Sequence, residues 1–174
     1  MEIIRAKHFI LRPFKKGDEE SLVKNINSKN IYRATLNIPY PYTMKDALQW
    51  IKKNEDLQKQ TSRTSINFAI DIKGDIVGGI GLSYIESYKA EIGYWLTESY
   101  WGKGIVTKAI GKITQFGFEH LGLKRIYADV FSFNKASMRV LEKNDYQLEG
   151  ILRKNVLKDD RLLDEYLYAK IVKG

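Results

Sequence analysis

Hydrophobic positions along this chain recur with two different periods, and the changes of period divide it into elements. Ile4, Phe9 and Leu11 alternate with polar residues over 3–12, which predicts a first strand. Asp18 then opens a polar helix with Leu22, Val23 and Ile26 on one face. Thr43, followed three residues later by Asp46, marks the start of a second helix, with Ala47, Trp50, Ile51 and Leu57 as its buried face. The pattern next shifts to period two. Phe68, Ile70 and Ile72 share one face of a strand, Lys73-Gly74-Asp75 forms a hairpin turn, Ile76 to Tyr84 is a glycine-rich strand, and Ala90 to Leu96 is a third. Helical spacing returns over 103–121, with Ile105, Ala109, Ile110, Ile113 and Phe116 on one side. Residues 125–131 read as a strand, and Asn134 to Lys143 as a short helix with Met138 and Leu141 inward. Two last strands, about 146–157 and 162–172, flank the polar turn Lys158-Asp159-Asp160.

This order predicts a single α/β domain over residues 1–174, with a mixed sheet and flanking helices. The strand–helix–strand unit over 90–131 can pair in parallel through a right-handed crossover. Ligands in such sheets gather at the carboxyl ends of the strands. Only three prolines occur, and two of them, in Pro39-Tyr40-Pro41, mark an irregular loop.

Composition narrows the function classes. Hydrophobic residues are 44% and charged residues 29%, as in soluble globular domains. No apolar run reaches the ~18–20 residues of a membrane span, so no membrane partner is expected. There are no cysteines, which removes disulfides, thiolate metal sites and a cysteine nucleophile, and fits a cytoplasmic protein. The net charge is +8, yet each half carries +4: 14 Lys+Arg against 10 Asp+Glu in residues 1–87, and 15 against 11 in 88–174. Without a basic cluster, a nucleic-acid partner is not expected. An anionic small ligand is left open, as is a homo-oligomer.

The stretch Gly102-Lys103-Gly104 opens the helix that begins near residue 104. It fits neither the dinucleotide fingerprint, since position 107 is Thr, nor the P-loop, since Lys103 is followed by Gly104. The physics beneath those motifs remains. A helix start presents unpaired N–H groups and a partial positive charge, and glycines bring no side chains to keep an anion away. Lys103 and Thr107 can add a charge and a hydroxyl, so the turn suits a pyrophosphate. A plain strand–helix turn is the alternative.

Three segments together resemble the GNAT acetyltransferases, close to their Rim-like branch, which includes ribosomal-protein N-terminal acetyltransferases. Ala90 to Leu96 (AEIGYWL) resembles the strand that pairs with the pantetheine arm of acetyl-CoA. Trp101 to Val106 (WGKGIV) resembles the pyrophosphate loop. Asn134 to Ser137, continuing into Leu141-Glu142-Lys143, resembles the second cofactor segment. The resemblance covers nearly the whole chain. It implies a mostly antiparallel central sheet with one parallel, splayed strand pair, and acetyl-CoA as cosubstrate with no metal. The cofactor set it implies is Tyr94, Trp95, Leu96, Trp101, Gly102, Lys103, Gly104, Ile105, Val106, Thr107, Asn134 and Lys143. The sequence departs from the family pattern at Trp101 and Val106 in the loop, at Leu141 where many relatives carry a tyrosine acid, and at Asp145-Tyr146 in place of Gly-Phe.

Acetyl transfer to an amine needs a neutral amine, a donor for the developing oxyanion, and a proton or hydrogen bond for the departing thiolate. The resemblance gives Ser137 as the group near the sulfur, although Ser137 also reads as a first-turn residue behind an Asn134 cap. Glu91 is the first candidate base. On a period-2 strand it shares a face with Gly93 and Trp95, opposite Ile92, Tyr94 and Leu96. Asp129 is the second, in mid-strand where Asp is depleted, and Glu149 a third. The acceptor is expected to be a primary amine: the α-amine of a protein or peptide, or a small molecule; Leu141 in place of the tyrosine acid leaves as the alternative a binding or sensing module that keeps the acyl-CoA site without turnover. An α-amine, with a pKa of about 7.7–8.0, costs roughly 1 kcal/mol to neutralise at pH 7, against about 4–5 for lysine, which tilts the choice to the α-amine. Tyr32, Tyr40, Tyr42 and Trp50 are candidates for lining an acceptor pocket or for packing, and Arg33 for holding an acceptor carboxylate. His8 and His120 read as surface residues rather than a metal pair.

Overall fold

The computed structural model describes residues 3–172. One eight-stranded sheet runs in the order β1-β2-β3-β4-β5-β6-β8-β7. Its strands are β1 (Ile4–Arg5), β2 (Ile10–Pro13), β3 (Ser65–Ile72), β4 (Asp75–Ser83), β5 (Lys89–Leu96), β6 (Arg125–Phe131), β7 (Gln147–Lys158) and β8 (Arg161–Ile171). The helices are α1 (Glu19–Ile26), α2 (Lys29–Ala34), α3 (Met44–Lys59), α4 (Ile105–His120) and α5 (Lys135–Glu142). All neighbouring strands pair antiparallel except β5 and β6, which are parallel. This bears out the expected mixed sheet with one parallel pair.

That parallel contact is short. Lys89, Ala90 and Glu91 pair with Arg125, Ile126 and Tyr127, and then the ladder stops. β5 continues to Leu96 along β4, and β6 continues to Phe131 along β8. Two half-sheets are therefore joined at three residue pairs and part beyond them. The edge of β5 from Ile92 to Leu96 that faces β6 has no strand partner.

The alternation of side chains assigns each half-sheet two faces. On one face Ile66, Phe68, Ile70, Leu82, Ile92, Ile126 and Ala128 meet Ala109, Ile110 and Ile113 of α4 and Met138 and Leu141 of α5. On the other, Ala69 and Ile76 meet Leu22 and Ile26 of α1, Ile31 of α2, and Ala47 and Ile51 of α3. The start of α3 is a complete capping box between Thr43 and Asp46, as its spacing predicts. On that helix Asn54 is buried, whereas Trp50 and Leu57 are only half-buried.

Two departures have local causes. The predicted first strand is two short strands, because residues 6–9 leave the ladder before β2 begins. Helix α2 has only Ile31 buried and no repeating apolar face, so periodicity gave no sign of it; the Ser28 side chain starts it by accepting from the N–H groups of Asn30 and Ile31.

Asp18, expected to start α1, makes no side-chain cap there. Its carboxylate instead takes both terminal nitrogens of Arg12 at 2.8 Å, while Arg12 Nε donates to Asp71 at 2.7 Å. All three are buried. Asp18 also accepts from the Lys15 N–H, and Asp71 from the Gly74 N–H in the β3–β4 turn. One guanidinium thus ties β2, α1 and β3 together. Replacing Arg12 with Met would strand two buried carboxylates, which costs roughly 3–5 kcal/mol. Urea unfolding at pH 7 should register that loss as a lower midpoint.

Candidate active site

The loop between β5 and α4 is built by its own side chains. Trp101 Nε1 donates to the Leu96 carbonyl at 2.7 Å, hooking the loop back onto the end of β5. That bond gives the indole a structural use at this position. Gly102 and Gly104 have φ of 73° and 72°, the left-handed region that favours glycine, and a Cβ at either would meet nothing within 4 Å. The glycines are therefore required by backbone conformation rather than by crowding. Gly104 is the N-cap of α4, and no side chain caps that end. The 16-residue helix thus presents its first N–H groups and its positive end without a protein partner. Lys103 Nζ lies 4.9 Å from the centre of the Tyr100 ring. Val106, the departure in this loop, turns its side chain to the main core. A branched side chain there leaves the helix N–H groups untouched.

Thr107 and Lys143 are brought near one another. Asn144, next to Lys143 at the end of α5, donates to the Thr107 carbonyl at 3.0 Å. Asp145 adopts φ of 62°, so an aspartate takes the left-handed turn after α5 that glycine would take more easily. Tyr146 is buried, with its hydroxyl 2.8 Å from Thr114 Oγ1. Leu141 is fully buried in the main core and has no part in the site surface. Leu96 is also buried in that core. The Trp95 indole lies on Gly79, where a Cβ would approach Nε1 to 2.5 Å, and packs toward the second core. Leu96 keeps its side chain in the core, and its carbonyl already accepts from Trp101.

The two faces of the parted strands carry different chemistry. Tyr94 turns to the α4–α5 face, where its hydroxyl lies 2.7 Å from Ser137 Oγ. Asn134 caps α5 by accepting from the Ser137 N–H at 3.1 Å. Burial pushes the Tyr94 hydroxyl well above its ordinary pKa, so it stays protonated.

On the opposite face stand Glu91, Asp129 and Glu165. Glu91 is opposite Tyr127 on β6, Asp129 is two residues further along that strand, and Glu165 is opposite Phe131. Residues two apart on a strand, or directly paired across strands, share a face, so all three carboxyls do. Glu165 is buried and accepts from Asn155 Nδ2 at 2.8 Å. Asp129 Oδ1 is buried with no hydrogen-bond partner. Desolvation, with the nearby charges of Asp129 and Glu165, pushes Glu91 up to about 7. Desolvation and Glu165 also raise Asp129. Sequence reasoning missed Glu165; the signal was an acidic residue inside a strand, the same one that singled out Asp129.

Other expectations change. Glu149 is paired with both terminal nitrogens of Arg125, at 2.8 and 2.5 Å, which lowers its pKa and removes it as a base. Tyr42 is 7% exposed, inside the second core, which takes it out of the acceptor lining. Arg33 is exposed on α2. Tyr32 on that helix donates to Asp159 at the β7–β8 turn, and Glu98 accepts from Ser28 and Asn30 at the start of α2. Helix α2 thereby bridges the glycine loop and the hairpin tip. His8 and His120 are exposed, and His120 stacks on Phe116. Among the described residues, no group of three or more His, Cys, Asp or Glu is placed to hold a metal ion. Nor is any helix among them long and apolar enough to cross a membrane.

The raised Glu91 pKa has a stability consequence. An acid whose folded pKa lies above its unfolded one binds its proton more tightly when folded, so stability falls as pH rises from the usual glutamate range through about 7. Glu91→Gln should therefore melt higher than wild type at pH 8. The difference should vanish near pH 4, as followed by thermal unfolding at both pH values.

Comparison with known proteins agrees with this geometry. The family model "Acetyltransferase (GNAT) domain" matches residues 8–147. An uncharacterized N-acetyltransferase, p20 of Bacillus licheniformis, is 29% identical over 172 residues, covering 97% of this chain and 96% of its own. The ribosomal-protein-serine acetyltransferase of Escherichia coli is 29% identical over 134 residues, 71% of this chain and 75% of its own. The structure of the microcin C7 self-immunity acetyltransferase MccE, in complex with acetyl-CoA and AMP, superposes with a TM-score of 0.83 at 27% identity, over 96% of this chain and 94% of that one. The ribosomal L7/L12 α-N-protein acetyltransferase RimL, in complex with coenzyme A, shares the fold with a TM-score of 0.89 at 23% identity, over 98% of both chains. With an uncapped glycine-opened helix beside a parted strand pair, and a family match over most of its length, the chain belongs to the GNAT acetyltransferases, enzymes that move an acyl group from acetyl-CoA.

Proposed function

We propose that this protein transfers the acetyl group of acetyl-CoA to a primary α-amine of a protein or peptide, by direct attack in a ternary complex. The observation that carries this reading is the division of chemistry across the parted strands. Hydroxyls of Tyr94 and Ser137 lie on one face, and the carboxyls of Glu91, Asp129 and Glu165 on the other. A thioester lying between β5 and β6 would meet a proton donor on its leaving side and a proton acceptor on its attacked side.

The residues fit the cosubstrate. The unpartnered N–H groups at the start of α4, with Lys103 and Thr107, suit the pyrophosphate. The free edge of β5 from Ile92 to the Leu96 N–H, next to the carbonyl that Trp101 takes, can hydrogen-bond an extended amide-bearing arm as a strand would. A backbone N–H on that edge can also serve as the oxyanion donor. Asn134 and Lys143 flank the two ends of α5.

Glu91 is the base in this reading. A carboxylate pushed up to about 7 lies within about one unit of an α-ammonium at roughly 7.7–8.0, so proton transfer between them is nearly balanced. A lysine ammonium near 10.4 would be about 3 units away, which is the physical ground for favouring the α-amine. The carboxyls of Asp129 and Glu165 add negative potential that attracts the cationic acceptor. The ribosomal-protein acetyltransferases among the relatives support a protein acceptor.

Two experiments test the reading. Calorimetry should show acetyl-CoA binding to wild type and none to Gly104→Glu, which sets a carboxylate against phosphate in a left-handed position; equal binding by the variant would sink the loop assignment. Thiol release with an N-terminal peptide should give a kcat/KM that rises with pH through about 7. Glu91→Gln should lose about 10²- to 10⁴-fold in kcat/KM and keep only the limb of the amine itself, near 8. A lysine-only acceptor turned over as fast as the free α-amine would overturn the substrate class.

A further inference from the structure

Ser137 is held from two sides. Its N–H donates to the capping Asn134, which fixes the first turn of α5. Its Oγ lies 2.7 Å from the Tyr94 hydroxyl, which reaches across from the unpaired stretch of β5. Two proton arrangements are open. Ser137 could donate to Tyr94 while Tyr94 donates to the Ser137 carbonyl. That carbonyl is 3.4 Å from the tyrosine oxygen, beyond the 2.5–3.0 Å of an effective O–H···O bond. In the other arrangement Tyr94 donates to Ser137 Oγ over 2.7 Å, and the Ser137 proton is free to point elsewhere. The second makes the stronger bond.

We propose that Tyr94 is a positioning residue: by donating to Ser137 Oγ it aims the Ser137 hydroxyl proton at the sulfur that leaves when the acetyl group is transferred. This rests on the acetyl-transfer reading above. In that step the N–C bond forms, the C–S bond breaks, and the electron pair of that bond stays on sulfur. The amine gives up its proton to the carboxyl face or to water. The thiolate is met by the Ser137 O–H, whose donor strength rises because its own oxygen is accepting from Tyr94. Solvent then supplies the proton that completes the thiol. Tyr94 never ionises, in keeping with burial that holds its proton on. Leu141, sealed in the core, offers no competing donor.

The test is a double-mutant cycle on Tyr94→Phe and Ser137→Ala, read by thiol release from acetyl-CoA with an N-terminal peptide. Each single variant should lose roughly 10- to 100-fold in kcat, with KM for acetyl-CoA within about twofold of wild type. The double variant should lose no more than the worse single, because the two hydroxyls act as one unit. Ser137→Thr, which keeps a hydroxyl, should recover most of the Ser137→Ala loss, and this arm does not depend on how Tyr94→Phe folds. Tyr94→Phe with wild-type kcat, a rise in KM at unchanged kcat, or multiplicative losses in the double variant would each overturn the proposal. A wild type that binds acetyl-CoA but acetylates no amine would instead overturn the reading beneath it. An active wild type with an indifferent Tyr94→Phe sinks the positioning role alone.

Discussion

The site depends on a contact that stops short. β5 and β6 pair over three residues and then part, because each is committed to its other neighbour: β5 to β4 and β6 to β8. Antiparallel ladders on the outer sides fix both strands, and the parallel pairing between them yields. The result is a length of β5 with unsatisfied backbone groups, normally a liability at a sheet edge. Here that edge lies inside the sheet, flanked by α4 on one face and by carboxyls on the other, where a ligand with amide groups can complete it. Both half-sheets still belong to one core, since Ile92 from the first and Ile126 from the second pack in the same cluster with α4.

The parting also separates charge. The side facing α4 and α5 is mostly apolar, with hydroxyls such as the Tyr94–Ser137 and Tyr146–Thr114 pairs as its polar groups, and the opposite face gathers Glu91, Asp129 and Glu165. Burial and the neighbouring carboxyls on that face hold the proton of Glu91 on toward neutral pH. The same burial that costs stability makes Glu91 useful, since a carboxylate with an ordinary pKa would be a poor base for an amine. The scaffold around it is stiffened elsewhere by the buried Arg12–Asp18–Asp71 network, where every carboxylate is matched by donors.

Much of this was legible in the chain as written. The strong periods of β3, β4, α4 and β6 survive in the structure because each buries a continuous apolar stripe. The capping box at Thr43, the Lys73-Gly74 turn and the glycine pair at 102 and 104 were legible because they rest on rules that act within a few residues. Helix α2 was not, since a six-residue helix with one buried side chain leaves no period to detect. Asp18 was legible as the residue ahead of α1, but its bond to Arg12 was not, because Arg12 is shared with Asp71, 59 residues away.

What the sequence determined by itself was therefore local: element types, the uncapped glycine start of α4, and the alternation that puts Glu91 and Tyr94 on opposite faces of one strand. What only the tertiary structure decided was company. Glu165 reaches the face of Glu91 through the register of β8 on β6, Tyr94 reaches Ser137 across 43 positions, and Glu149 and Tyr42 leave the site for an ion pair and a core. The physical reason is range. Backbone conformation and side-chain alternation are set by neighbours in the chain, whereas the pKa of a carboxyl and the aim of a hydroxyl are set by whatever the fold brings within a few ångströms.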